Sequence, residues 1–552
     1  MVRNLLLLLL FPATVVLATV NFETCLQEVR NGDWGLEGGR DNNGGIVNVS
    51  EATAISYDLC VVACGTGPEP FVWNNFSQQF SAWLLPYLAL MSQLPFGAKN
   101  RLDNLVSLLL AVGSPTLAAY SLALTVLNGH YIAHRFSHLT YPNVSNAVRI
   151  LSSLQQSAIH VITEEALLAS LIVLPENDEW WSELVVWLNY VHTWSISAVA
   201  SILWVIIAYV FTVVDSFTSV VTYSSLNSNG QACDYERVGA AVERANKIAY
   251  VVTHDGEAIL ASHLSTKRAI AIRRGSGDIH SDEHHTAPIY NYARFLPWSM
   301  AVETVYVAFR EASERSNSYR PVNGEMAWQK GDRMMPVRPE NRQGSLEQIT
   351  AYVKTYPVEI EPSKRSRWGR GMVSRFLLAS FLALVLTWGT IGAAILVAFY
   401  TPTKGIACRS GSYLIYGVVS TLIWILLVIS SALSHYSSLV PTYKDRYQHT
   451  PSTRVAGITA VILRRAAKTL AALNSAWVIL ACLFQFSSFY DRCWCNSSVF
   501  YWRENAFNVI NVSPSDVAAL DPPWIGGVAL ASGCAVIFLG FVNLLIRPTL
   551  PT

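Results

Sequence analysis

The chain has 552 residues, of which 52% are hydrophobic and only 14% charged, with a mean hydropathy of +0.31. A typical soluble domain carries about 25% charged residues, so a water-soluble globule of this size would lack the charge to cover its surface. The 39 Lys and Arg nearly balance 38 Asp and Glu, which argues against a nucleic-acid partner and leaves the lipid bilayer as the expected one.

Arg3 precedes an apolar run, Leu5–Leu17, and Ala18 offers a small residue for cleavage, so 1–18 reads as a secretory signal peptide. Residues 19–79 are polar and hold Cys25, Cys60 and Cys64, as expected of a lumenal or extracellular segment. A spanning helix needs about 20 mostly apolar residues to cross about 30 Å of hydrocarbon. Three such runs fall within 80–217: Phe80–Phe96, Leu105–Leu127 and Ile196–Val214, with a lumenal loop at 128–195. Four more fall within 376–546: Phe376–Tyr400, Tyr413–Leu433, Thr469–Phe486 and Trp524–Ile546. A cytosolic loop, 218–375, separates the two groups, and 547–552 forms a cytosolic tail. The fold class is therefore all-α: a polytopic membrane protein of about seven transmembrane helices after a cleaved signal peptide, with a large cytosolic loop.

Pro86 makes Phe80–Phe96 the weakest span, and Gly113 with Pro115 kinks the second. Ala158–Leu174 is apolar too, but Glu164 and Glu165 stand side by side in it. Two carboxylates at the bilayer centre are costly, so this segment reads as an interfacial amphipathic helix. Replacing the first span by this one keeps the parity and moves Asn143 to the inside.

Charge sets the orientation. With the N-terminal segment lumenal, the cytosolic pieces 97–104, 218–375, 434–468 and 547–552 hold 30 Lys and Arg, against 8 in the lumenal pieces. Clusters at Lys364–Arg375 and Arg464–Lys468 sit directly at span ends. The five N-x-S sequons, Asn48, Asn75, Asn143, Asn496 and Asn511, all fall on the predicted lumenal side, where they can accept glycan. Six of the nine cysteines do too: Cys25, Cys60, Cys64, Cys408, Cys493 and Cys495. They allow up to three disulfides, and Cys493 and Cys495 stand too close in sequence to pair comfortably with each other.

Within the cytosolic loop, Val238, Ala241, Val242, Ala245, Ile248 and Val252 repeat at helical spacing over Asp234–Ser265. Ala301–Ala312 reads as another amphipathic helix, and the polar stretch Ser316–Glu347 as flexible. The aromatic stretch Ala287–Trp298 suits either the headgroup level or packing against the loop's own helices. Among the spans, Gly389-x-x-x-Ala393 and Ala529-x-x-x-Gly533 present small faces for close helix contact.

Few residues suggest chemistry. His130, His134 and His138 recur at spacing four after the second span, a stripe that could bind metal if the helix continues. His280-x-x-x-His284-His285 superficially resembles a histidine box of membrane desaturases, but it falls on the opposite predicted face. No nucleophile elbow, phosphate-binding glycine loop or C-x-x-C zinc pair set occurs. The largest cytosolic loop follows span three, unlike the pattern of G-protein-coupled receptors.

Several stretches taken together, FSQQFSAWLLPYLALMSQLPFGA, DNLVSLLLAVGSPTLAAYSLALTVLN, SLIVLPENDEWW and APIYNYARFLPW, resemble an uncharacterised family of multi-pass membrane proteins of filamentous fungi. The resemblance implies a source and no activity. The expected role is non-enzymatic, as a sensor, scaffold or transporter-like component of the secretory pathway, with no cofactor. The alternatives are a membrane-embedded metal enzyme using His130, His134 and His138, and a seven-span receptor.

Overall fold

Long runs of Leu, Ile, Val and Ala build four long apolar helices, and much of the remaining described chain gathers at their two ends. The computed structural model describes residues 20–85, 87–88, 101–188, 235–264, 267–272, 290–332, 337–353, 370–438, 442–443, 446–447 and 451–545. Among helices of seven residues or more, α1 is Phe22–Asn31, α2 Trp73–Gln79, α3 Arg101–Gly113, α4 Pro115–Phe136 and α5 Val144–Ser153. Next come α6 (Leu167–Val173), α7 (Asp178–Leu188), α8 (Tyr235–Ala245), α9 (Phe295–Asn317) and α10 (Leu346–Val353). The long helices are α11 (Met372–Tyr400), α12 (Cys408–Ser438), α13 (Pro451–Phe486) and α14 (Pro514–Leu545).

Each long helix is apolar and long enough to cross a bilayer, yet only 22–44% of its most apolar stretch is buried by the rest of the protein. Leu377, Phe381, Ile415, Ile462, Val536 and Leu544 stay on the outside. A helix that is hydrophobic all round and still uncovered needs lipid. This is a membrane protein. The four helices coincide with the last four expected spans.

The second expected span, Leu105–Leu127, is not one straight crossing. Between α3 and α4 the axis turns by 103° at Ser114. Pro115 lacks an N–H and its ring collides with the preceding turn, so α3 must end before it. Ser114 caps the new helix, its Oγ accepting from the Leu117 N–H at 3.3 Å and donating to the Ser420 carbonyl at 2.8 Å. Carbonyls freed at the end of α3 find side-chain donors on α12 and α13: Asn474 Nδ2 donates to Gly113 O at 2.7 Å and Tyr416 Oη to Val112 O at 2.6 Å. One turn earlier the Ser475 hydroxyl lies 2.8 Å from both Leu109 O and the Ala471 carbonyl of its own helix. Of the remaining expected segments, only the start of Phe80–Phe96 belongs to the described residues. The signal peptide 1–18 and Ile196–Val214 lie outside them.

At one end of the bundle, which we call the base, the chain corrects the expected loop topology. The described parts of 128–195 and 218–375 build one core instead of lying on opposite faces of a membrane. Ile159–Val161 pairs antiparallel with Ile270–Ile272, in the register Ile159 to Ile272. Arg342, 3% exposed, forks onto Asp178 with two bonds of 2.7 Å and donates to the Val173 and Leu174 carbonyls. Trp298 Nε1 donates to Leu151 O at 2.8 Å. Backbone pairing and buried fork bonds of this kind place both segments at the same end of the bundle.

Local expectations change with it. Ala158–Leu174 is no interfacial helix but a strand, a turn and the fully buried α6; Glu164 sits at the surface with Lys267. The Asp234–Ser265 periodicity gives α8, with Val238, Ala241, Val242 and Ala245 inward, and then a hairpin of Tyr250–Val252 with Ala258–Leu260. The described part of Ala287–Trp298, from Tyr290 on, takes the packing alternative: Tyr290, Tyr292, Phe295 and Trp298 are all buried. Within Ser316–Glu347, Val322, Val337, Asn341 and Arg342 are buried rather than loose.

At the other end, the cap joins distant pieces of chain. Gly39–Arg40, Ala54–Ser56 and Phe507–Val509 form one antiparallel sheet, with Ala54 opposite Val509. Three disulfides lock it: Cys25–Cys64, Cys60–Cys493 and Cys408–Cys495. Cys493 and Cys495 take separate partners, as their spacing requires.

The two small-residue faces of the spans behave differently. A Cβ added at Gly389 would stand 2.4 Å from Cys534 Sγ, whereas one at Gly533 meets nothing within 4 Å. The close seam between α11 and α14 therefore runs through Gly389 and Gly527, and Gly533 faces outward. Gly389→Leu should destabilise the purified protein by about 1–3 kcal/mol through overpacking, read as a lower thermal transition in detergent. Gly533→Leu should leave that transition in place.

Candidate functional site

The metal-binding expectation for His130, His134 and His138 is not met by their placement. All three lie on or just past α4, with His130 and His134 exposed on its surface. His138 Nε2 instead meets Tyr306 Oη at 3.2 Å. Among the described residues the one close set of potential ligands is Cys60, Cys64 and Cys493, and each of these is in a disulfide. The His280–His285 group lies outside the described residues.

The stripe does have a structural use. His138, Arg135 and Tyr131 on that side of the chain meet α9, where Glu303 accepts from Tyr131 Oη and from Arg135, whose Nη2 approaches to 3.1 Å. Arg135 also lies over the Tyr306 ring at 3.8 Å. Next to them Arg375, 5% exposed, reaches from the start of α11 into the base. It donates to Asn128 Oδ1 at 2.6 Å, Ser299 Oγ at 3.2 Å and the Gly371 carbonyl at 3.1 Å, with the Tyr131 ring at 3.9 Å. This seam ties α4, α9 and α11 together. In the base itself, burial works against the Arg342 charge, but its bonds to Asp178 outweigh that and hold the guanidinium above its usual range. Burial likewise pushes the neighbouring Tyr141 phenol up to about 12.

The sequons divide by end. Asn48, Asn75 and Asn511 are exposed, in or beside the cap. Asn496 is half-buried under it. Asn143 belongs to the base, in a left-handed backbone conformation with its Nδ2 donating to Asp178 at 2.6 Å.

Beneath the cap, α11–α14 enclose a cavity of about 270 Å³ that sequence reasoning did not find. Its apolar side is built from small groups on the α11–α14 seam: Ala393, Ala394, Val397, Gly527, Val528 and Ala531. Polar residues gather at the cap end, with Thr401, Arg409, Tyr413, Gln485 and Tyr490. Tyr413 donates to Gln485 at 3.3 Å, Tyr490 pairs with Ser412 at 2.8 Å, and Arg409 is bonded to Asp491. Two buried donors on the lining, Arg409 Nε and Trp524 Nε1, have no hydrogen-bond partner among the described residues. Just above, Glu69 is pushed above the usual carboxyl range by burial and then by Asp491 and Glu23.

The lining contains no His, Asp or Glu, and its Cys495 is tied in a disulfide. Its polar groups are the hydroxyls of Thr and Tyr, two side-chain amides, the Trp524 indole N–H and the Arg409 guanidinium. The signal that pointed there was the run of small residues in α11 and α14, which sequence reasoning assigned wholly to helix contact.

No protein-family model, curated protein or solved structure matches the chain.

The Arg375 seam depends on a planar fork that reaches several acceptors while stacking on an aromatic ring, which an ammonium cannot reproduce. Arg375→Lys should lower stability by about 2 kcal/mol, since partners of a buried charge are left unsatisfied. Arg370→Lys, at an exposed side chain, is the control and should unfold like the parent protein in a thermal scan.

Proposed function

We propose that the protein is a non-enzymatic membrane sensor, in which occupancy of the cavity below the cap is transmitted to the base. One observation carries this reading: a single helix, α11, lines the cavity from Thr390 onward and plants Arg375 in the base at its other end. A rigid helix held at both ends is a physical route for coupling. The described wall of the cavity carries no His, Asp, Glu or free Cys, which favours binding over catalysis. The resemblance to the fungal membrane family adds no activity to this.

The cap is proposed to be lumenal or extracellular and the base cytosolic. Three disulfides support an oxidising side for the cap. The basic clusters before α11 and within α13 support a cytosolic base. Moving residues 128–188 to that side adds Arg135 and Arg149 to it and so sharpens the charge asymmetry.

Two measurements test these statements. Glycopeptide mapping of the protein from a eukaryotic host should find glycan at Asn48 and none at Asn143; the reverse pattern would invert the orientation. For coupling, hydrogen exchange should be compared between the parent protein and Ala394→Trp, which fills the cavity from α11. Protection in Phe295–Asn317 should change by at least twofold, although no atom of α9 touches the cavity. Unchanged exchange there, with altered exchange around Thr390–Thr403, would reduce the cavity to a local binding site.

A further inference from the structure

We infer that the cavity takes a sterol, with the ring system against the α11–α14 seam and the hydroxyl towards the cap. The inference rests on the proposal that this cavity is the sensing site, and it adds the chemistry of what is sensed.

Size comes first. About 270 Å³ lies just below the usual range of about 300–1,000 Å³ for small-molecule pockets, room for one chain or for the fused rings of one sterol but not for a two-chain lipid. Shape then separates the two. The apolar side is made of Ala393, Ala394, Gly527 and Ala531 with the short, stiff Val397 and Val528 beside them, so no long side chain projects from it. A flat rigid body gains dispersion contact along all of such a surface. It also loses little internal freedom on binding, whereas an acyl chain must freeze many torsions.

Charge selects the head. Arg409 is the one charged residue on the lining, and Asp491 already neutralises it. Glu69 stands beside that pair. A carboxylate or phosphate entering there would face two acidic side chains, which makes an anionic head unfavourable. An uncharged hydroxyl fits. It can accept from Trp524 Nε1 or Arg409 Nε, the two donors that lack partners, and donate to the side-chain oxygen of Thr401 or Gln485. Position agrees with this reading. The cavity opens among helices that otherwise face lipid, with its polar groups at the cap end, where a membrane amphiphile keeps its head.

The test uses the full chain in phospholipid nanodiscs with a photoreactive, alkyne-tagged cholesterol analogue as the probe. Labelled peptides should map to 389–403 and 520–531, and excess cholesterol should suppress the signal at least tenfold. Excess palmitic acid or monoolein should not. Ala394→Trp should abolish labelling, and Trp524→Phe, which keeps an aromatic ring but removes the indole N–H, should weaken cholesterol competition about fivefold, the loss of one hydrogen bond. Labelling at other sites, competition by palmitic acid or monoolein equal to that of cholesterol, full labelling of Ala394→Trp, or unchanged cholesterol competition in Trp524→Phe would each overturn the sterol assignment. A sterol that binds as described without altering exchange in Phe295–Asn317 would instead sink the sensor reading and leave the site standing.

Discussion

Everything in this molecule depends on finding partners for the carbonyls at the end of α3. In hydrocarbon an open backbone carbonyl costs several kcal/mol, so a helix can break among membrane helices only where other side chains close the account. Asn474 and Tyr416 supply those donors from two neighbouring helices, and Ser420 receives the cap of the next helix. The contact is so close that only glycine fits at 113, where an added Cβ would stand 2.1 Å from the Ala471 carbonyl. The same break frees α4 to run along α11 and deliver Asn128, Tyr131 and Arg135 to the base. Without the turn at Ser114 the Arg375 seam would have no floor.

That seam explains why the base is not a passive loop. Arg375 is buried, yet its guanidinium is held by side chains of α4 and α9 and by an aromatic face, so the start of α11 is fixed in direction as well as in depth. The far end of α11 is fixed by the close approach of Gly389 and Gly527 to α14. A helix held at both ends offers the physical link between cavity and base on which the proposed sensor role rests.

The long spans were legible in the sequence because twenty apolar residues in a row are a signal of composition alone, independent of any partner. The same is true of the number of disulfides and of the separate fates of Cys493 and Cys495. The shared base was not legible. Charge counting weighs each loop by itself, and Arg135 with Arg149 contribute too little to place 128–188 on either side. The sequon at Asn143 then pulled that loop towards the lumen, although the residue serves to hold Asp178. The strand Ile159–Val161 draws its pairing from residues more than a hundred positions away, which no local periodicity reports. The cavity was hidden for a related reason: it is a gap between helices, and small residues at Gly389 and Ala394 look alike until one is seen to pack and the other to leave space.

The Cys60–Cys493 bridge spans 433 residues, and the cap sheet likewise waits for Phe507–Val509. At about 5–20 residues per second of synthesis, Cys60 precedes its partner by tens of seconds. Throughout that interval the N-terminal segment has the Cys25–Cys64 link available but lacks the strand that completes its sheet. Its apolar residues, Val29, Val49 and Ile55 among them, must therefore be shielded by something other than the finished cap. Completion of the cap is in effect a test of the whole chain, since it can close only after α11, α12 and α13 have been made and have brought Cys493 to the correct end of the bundle. A copy truncated before Cys493 would leave Cys60 without its native partner.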